Sequence, residues 1–151
     1  MRVLLQRVSD AAVSVGGETL SSIGCGLLVF LGVEREDTEL EVEWLVEKTL
    51  GLRIFADGNK AMNRSVMDVD GEVLVVSQFT LAADTTRGRR PGFSAAAMPE
   101  IAEALYGCFV SRMRDRWSKV SEGRFGADMQ VALTNDGPVT FLLERRGKKA
   151  E

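Results

Sequence analysis

Two short segments hold residues whose types and order could do chemistry. They are Ser77-Gln78-Phe79-Thr80 and Asn135-Asp136-Gly137-Pro138-Val139-Thr140. In the second, Pro138 removes a backbone donor and fixes φ. The Gly137-Pro138 bond can turn cis at a cost of only about 0.5–1 kcal/mol. Two successive carbonyls then face one side as a rigid surface with no side chain. Gly-Pro alone reads more readily as an ordinary turn. The first segment closes an apolar run with two hydroxyls and an amide, which would cap a strand entering solvent or face a reacting group. Read together, the two suggest a site that measures its substrate with backbone atoms.

The chain has no histidine. This excludes a Ser-His-Asp or Cys-His machine built from this chain, and imidazole metal ligands with it. Thr80 is the obvious nucleophile, but a threonine hydroxyl needs a base. Carboxylates, lysines or an amine are what remain, with Asp84 the nearest in sequence. A second route needs no side-chain base. Backbone N–H groups near Phe79 and Thr80 would hold a developing oxyanion. The substrate would bring its own hydroxyl, as an aminoacyl ester on a terminal ribose does through the neighbouring 2′-OH. Holding the ester in place would then be most of the catalysis. In Arg124-Phe125-Gly126-Ala127-Asp128-Met129, Phe125 suits stacking on a base and equally suits a core.

These segments need a scaffold, and 151 residues suffice for one domain with a core. Apolar residues make up 45% and charged residues 27%. No run is long enough to span a membrane, and the start reads as a strand, not a signal peptide. Cys25 and Cys108 have no metal spacing and suit a reducing cytoplasm. Neither a metal nor a cofactor is expected. The net charge of −3 argues against a generally nucleic-acid-binding surface. Basic residues cluster locally all the same, at Arg87, Arg89 and Arg90 and in the tail at Arg145, Arg146, Lys148 and Lys149. Either cluster can hold phosphates or be merely solvated.

Strands are expected over residues 1–8, 11–15 and 18–23, with Gly16-Gly17 as a hairpin turn. The unbroken apolar run 27–33 fits a strand buried on both faces, and 72–79 reads as a second strongly apolar strand that ends at the polar Ser77-Gln78 pair. Arg53-Ile54-Phe55 reads as a short strand. Asp37 is the expected N-cap of a helix over about 38–50, with Leu40, Trp44, Leu45, Thr49 and Leu50 at helical spacing and Gly51 as its C-cap. Residues 82–93 form an Arg- and Gly-rich loop. Pro99 opens a second helix running to about residue 117. Two last strands, 129–133 and 139–143, flank Gly137-Pro138, and 145–151 is expected to be a charged, disordered tail. The sum is a single α+β domain: a curled, mostly antiparallel sheet or barrel-like β structure with two main helices.

The motifs in combination carry a resemblance. Ser77-Gln78-Phe79-Thr80-Leu81-Ala82-Ala83-Asp84, Arg90-Pro91, Gly123-Arg124-Phe125, Asp128-Met129-Gln130-Val131 and Asn135 to Thr140, with Gln6-Arg7-Val8 and Gly26-Leu27-Leu28-Val29, resemble the D-aminoacyl-tRNA deacylases of the bacterial and eukaryotic type over residues 1–144. The resemblance implies a homodimer with its sites at the interface. It also implies hydrolysis of the ester joining a D-amino acid, or glycine, to the 3′-terminal adenosine of tRNA. Ser77, Gln78, Phe79 and Thr80 would line the ester and adenosine pocket. Gly137 and Pro138, cis in the family, would enter the partner's site and exclude L side chains by a clash, with Arg7 as a brace. Phe125 and Met129 would lie near the aminoacyl or adenine end. Ser77 and Phe79 resemble the strictly D-selective class, since a relaxed relative carries Pro-Gln-Ala-Thr there. Gly92 departs from the pattern, which has Ser.

Two other readings stay open. One is a module that grips a nucleic-acid 3′ end without turnover. The other is a Thr or Ser hydrolase acting on small esters.

Overall fold

Strands of the sheet sort their side chains by alternation, and at the centre of the sheet both faces are covered. The computed structural model describes residues 1–147. Its strands are β1 (Arg2–Val15), β2 (Glu18–Ile23), β3 (Gly26–Gly32), β4 (Glu72–Ser77), β5 (Val120–Glu122) and β6 (Met129–Glu144), with helices α1 (Glu39–Gly51) and α2 (Pro99–Arg116). In β3 and β4, Leu27, Val29, Leu31, Val73 and Val75 face a core shared with both helices. Leu28, Leu74 and Val76 face a second core that the curling sheet closes over itself. Burial on both faces is why these strands read as continuous apolar runs.

The sheet is mixed. β1 pairs antiparallel with β2, β3 and β6, whereas β3–β4 and β4–β5 are parallel. β1 keeps β6 along one edge and divides the other between β3, for its first half, and β2, for its second. At the far edge Ser21 Oγ donates to the Glu122 carbonyl at 2.9 Å, bringing β2 against β5 and nearly closing a barrel. The α+β, barrel-like, single-domain architecture with two main helices is the one expected.

Several local expectations are corrected. Residues 1–8 and 11–15 are one strand, as are 129–133 and 139–143. The β1–β6 register shifts between Gln6 and Val8 and again between Val8 and Asp10. Those irregularities let Val3 and Leu5 face one core and Val8, Ala11 and Val13 the other. A change of face in mid-strand looks like a break in a linear sequence. Arg53-Ile54-Phe55 is no strand; Phe55 makes only an isolated bridge with Arg64. The three-residue β5 carries too short a pattern to predict.

Helix α1 is capped by Thr38, not Asp37. Thr38 Oγ1 accepts from Leu40 N–H at 3.2 Å, and the Glu41 carboxylate accepts from Thr38 N–H at 2.8 Å, completing a capping box. Asp37 turns inward to the Met1 ammonium at 2.6 Å. Gly51 is the last helical residue and Leu52 the C-cap. Leu40 points to solvent, and Val42 and Val46 take the buried stripe with Leu45, Thr49 and Leu50. Pro99 does open α2. At the chain's end, Arg145 exchanges backbone hydrogen bonds with Met1 (3.0 and 2.7 Å), and its guanidinium lies 5.3 Å from the Trp44 ring centroid. The rest of the expected tail, 148–151, lies outside the described residues. Among the described residues no helix is long and apolar enough to cross a membrane.

Candidate active site

The site begins where β4 runs out. Gln78 N–H donates to the Leu31 carbonyl at 2.8 Å, keeping the chain beside β3 for one residue more. A short 3-10 helix, Phe79–Ala82, then turns away. Gly32 permits this close approach, since a Cβ there would sit 2.8 Å from Leu81 Cβ and 3.0 Å from the Gln78 carbonyl oxygen. The N–H groups of Phe79 and Thr80 open that helix and have no intrahelical acceptor. Among the described residues they donate to no protein group. Gln78 Nε2 donates to Thr80 Oγ1, fixing the hydroxyl on the protein's surface.

Beside this turn lies a cavity of about 510 Å³, within the size range of small-molecule sites. Val76, Ser77, Gln78 and Phe79 form one wall, and Phe125 to Met129 with Val131 form the opposite one. Phe125 is backed by Tyr106, with ring centroids 5.9 Å apart. The Tyr106 hydroxyl donates to the Val75 carbonyl at 3.0 Å, and burial pushes its pKa up, so it stays a neutral donor. Met129 packs over Gly123, where a Cβ would meet its sulfur at 2.7 Å, and that sulfur accepts from Arg124 N–H at 3.3 Å. Both walls are therefore braced from behind.

The third wall is Ala96, Ala97, Pro99 and Ala102, which sequence reasoning did not place at the site. The segment is tied to β3 by Ala97 N–H donating to the Val33 carbonyl at 3.1 Å. Its only signal is the small-residue run Ala95-Ala96-Ala97, which lets the backbone approach closely. Asp128 also lines the cavity, and no histidine exists to serve as base. Among the described residues no group of His, Cys, Asp or Glu converges as metal ligands.

Of the residues singled out from sequence, Ser77, Gln78, Phe79, Phe125 and Met129 line this cavity. Thr80 lies just past it. Arg7, Gly137 and Pro138 do not reach it. Gly137 is eight residues along β6 from Met129, a span of about 26 Å at ~3.3 Å per residue.

The register explains how Gly137-Pro138 is presented. Gln6 pairs with Thr140 and Val8 with Asn135, so residues 136–139 bulge opposite the single residue Arg7. Arg7 Nε donates to the Asp136 carbonyl at 3.1 Å, and its Nη1 to the Ile54 carbonyl at 2.7 Å. Asn135 Nδ2 donates to the Arg7 and Val139 carbonyls, both at 2.9 Å. Gly137 has φ +143° and the Gly137-Pro138 bond is cis. Both residues are exposed while Val139 is buried. The molecule thus holds out a braced, side-chain-poor loop that touches nothing of its own cavity.

A family profile for D-Tyr-tRNA(Tyr) deacylase matches residues 4–144. A D-aminoacyl-tRNA deacylase of Exiguobacterium sp. is 54% identical over 145 residues, covering 96% of this chain and 99% of the relative. One of Roseiflexus sp. is 58% identical over 144 residues, covering 95% and 93%. A solved structure described as c-Myc DNA Unwinding Element Binding Protein superposes with TM-score 0.92 at 44% identity, covering 97% of this chain and 100% of that one. Another, of a probable eukaryotic D-amino acid tRNA deacylase, gives TM-score 0.81 at 20% identity, covering 94% and 97%, and speaks to the fold alone.

Proposed function

Because the chain belongs to the D-Tyr-tRNA(Tyr) deacylase family, we propose that it hydrolyses the ester between a D-amino acid, or mischarged glycine, and the 3′-terminal adenosine of tRNA. The reaction proofreads translation and belongs in the cytoplasm, where charged tRNA is used. No cofactor enters it. Water attacks the ester carbonyl, the ribose 3′ oxygen leaves as the hydroxyl, and the amino acid departs as its carboxylate with release of a proton.

The observation that carries this reading is the cavity between Ser77–Phe79 and Phe125–Met129, apolar and braced, beside two backbone N–H groups with no protein acceptor. In the cavity the ester is held and the adenine meets an aromatic wall. The N–H groups of Phe79 and Thr80 take the charge that develops on the carbonyl oxygen. The neighbouring 2′-OH of the tRNA assists the attacking water. Thr80 then contributes its backbone, with its hydroxyl held by Gln78.

Chirality is read by the Gly137-Pro138 backbone. Within one chain that loop is far from the cavity, so in this reading two copies form a homodimer and each inserts its loop into the other's site. An L side chain meets the inserted backbone, a D side chain points away, and glycine passes because it has no side chain to reject.

Purified protein should release D-tyrosine from D-tyrosyl-tRNA, and glycine from glycyl-tRNA, while sparing L-tyrosyl-tRNA. Equal rates on the D and L tyrosyl esters would remove the chirality reading. The description of one similar structure as a DNA-unwinding-element binder favours a second reading, nucleic-acid binding without turnover. Binding of tRNA with no hydrolysis of any ester would select it.

A further inference from the structure

Arg87, Arg89 and Arg90 lie outside the cavity and are exposed. Among the described residues they form no ion pair. No acidic residue occurs between Asp84 and Glu100, although acids outnumber bases by 22 to 19 in the whole chain. The cluster is therefore a local positive spot on a protein whose overall charge repels polyanions.

The loop that carries it has a defined base. Asp84 and Gly92 exchange backbone hydrogen bonds at 2.7 and 2.9 Å, and the Asp84 carboxylate accepts from Thr86 N–H and Oγ1 at 2.9 and 2.7 Å. Gly88, with φ +71°, turns the tip. The residue after Gly92 is Phe93, whose ring lies 5.0 Å from that of Phe79, in the cavity wall. The hydrogen-bonded base thus sets the loop that carries three unpaired guanidiniums beside Phe93, whose exposed ring meets the exposed Phe79 ring of the cavity wall. That order, pocket, then rings, then charge, matches a single strand whose terminal nucleoside is buried, whose next bases stack, and whose phosphates follow outside.

We propose that the loop Arg87-Gly88-Arg89-Arg90 is a phosphate-binding arm that grips the 3′ strand of the tRNA once its terminal aminoacyl-adenosine is seated. The proposal rests on the deacylase reading for the identity of the strand. It adds a site for the polymer separate from the site for the ester.

The test compares the wild type with the combined variant Arg87→Ala, Arg89→Ala, Arg90→Ala on two substrates. One is D-tyrosyl-tRNA, and the other is D-tyrosyl-adenosine, which has the ester and the base but no phosphate. The variant should lose about tenfold or more in kcat/KM on the tRNA, with a salt dependence shallower by roughly one per lost phosphate contact. It should match the wild type on the adenosine ester. The Arg→Lys variant at the same three positions should recover most of the loss, since lysine also binds phosphate. Equal losses on both substrates would show that the loop only shapes the pocket, and no loss on tRNA would show that it does nothing; either overturns the arm. Affinity for uncharged tRNA, measured in parallel, reads the arm without turnover. If the wild type hydrolyses neither ester, the deacylase reading falls. The arm then stands or falls on whether the triple alanine variant loses that salt-dependent affinity.

Discussion

Thr80 and Gly137 show how differently two neighbourhoods respond to a single atom. Thr80 Oγ1 is exposed and held by Gln78, with no base near it in sequence except the loop carboxylate of Asp84. If its backbone matters and its hydroxyl does not, Thr80→Ala should keep kcat on D-tyrosyl-tRNA within about tenfold of the wild type, because a side chain in the proton-transfer chemistry is worth about 10²–10⁴. A loss of about a hundredfold with substrate binding intact would place the hydroxyl in the reaction. Gly137 has no such latitude. A Cβ there would lie 2.5 Å from Val139 Cγ2, 2.8 Å from Val139 N and 3.3 Å from Arg7 Nη2, at a φ that L residues avoid. Val139 is buried and its carbonyl is held by Asn135, so it cannot give way. Gly137→Ala should cost about 1–3 kcal/mol of stability, leave the fold intact, and lower the D-to-L rate ratio by at least tenfold. An unchanged ratio would remove the loop from the site. At this scale the sequence was informative: the Ser77–Thr80 and Asn135–Thr140 segments are the two features the structure sets apart, one at the cavity and one on a braced bulge. The alanines of the third wall were not legible, because small apolar residues look alike whether they line a pocket or fill a core.

Turns and bulges decide where those residues stand. The turn after α1 is organised by Asp57, whose carboxylate accepts from the backbone N–H of Lys60 and Asn59, both at 2.8 Å, and from the Asn63 amide. These bonds, that from Lys60 foremost, hold its pKa down to about 2. The same turn carries Phe55, which lies 6.0 Å beneath the Arg7 guanidinium, and follows Ile54, whose carbonyl Arg7 binds. A folded pKa below the unfolded value of about 3.9 means that the ionised carboxylate stabilises the fold above about pH 4, and that this contribution fades as pH falls toward 2. Asp57→Ala should therefore melt below the wild type by a constant margin at neutral pH, and the margin should close between about pH 4 and pH 2. A margin that persists at pH 2 would mean that the side chain acts through packing instead. Elements with a strong local signal were legible: the Gly16-Gly17 hairpin, both helices, and the two doubly buried strands. The unity of β1 and of β6 was not. It depends on a register in which four residues of one strand bulge opposite a single residue of the other, and only the partner strand reveals that.

At the scale of the whole molecule, one chain holds its cavity and its exposed Gly137-Pro138 loop at well-separated places along β6. Nothing in a linear sequence reports that separation, and the dimer proposed above would bring the loop of one copy to the cavity of the other. The most direct measurement uses two variants with complementary defects, differently tagged and co-expressed. Ser77→Trp plugs the cavity and alone should be nearly inactive on D-tyrosyl-tRNA, whereas Gly137→Ala disturbs the loop and alone should hydrolyse L-tyrosyl-tRNA as well as the D ester. A purified mixed dimer carries one site with both defects and one with neither, so it should regain about half the wild-type rate, with L-tyrosyl-tRNA still spared. Failure to form a mixed species, or a mixed species that hydrolyses L-tyrosyl-tRNA as its Gly137→Ala parent does, would contradict a site shared between copies.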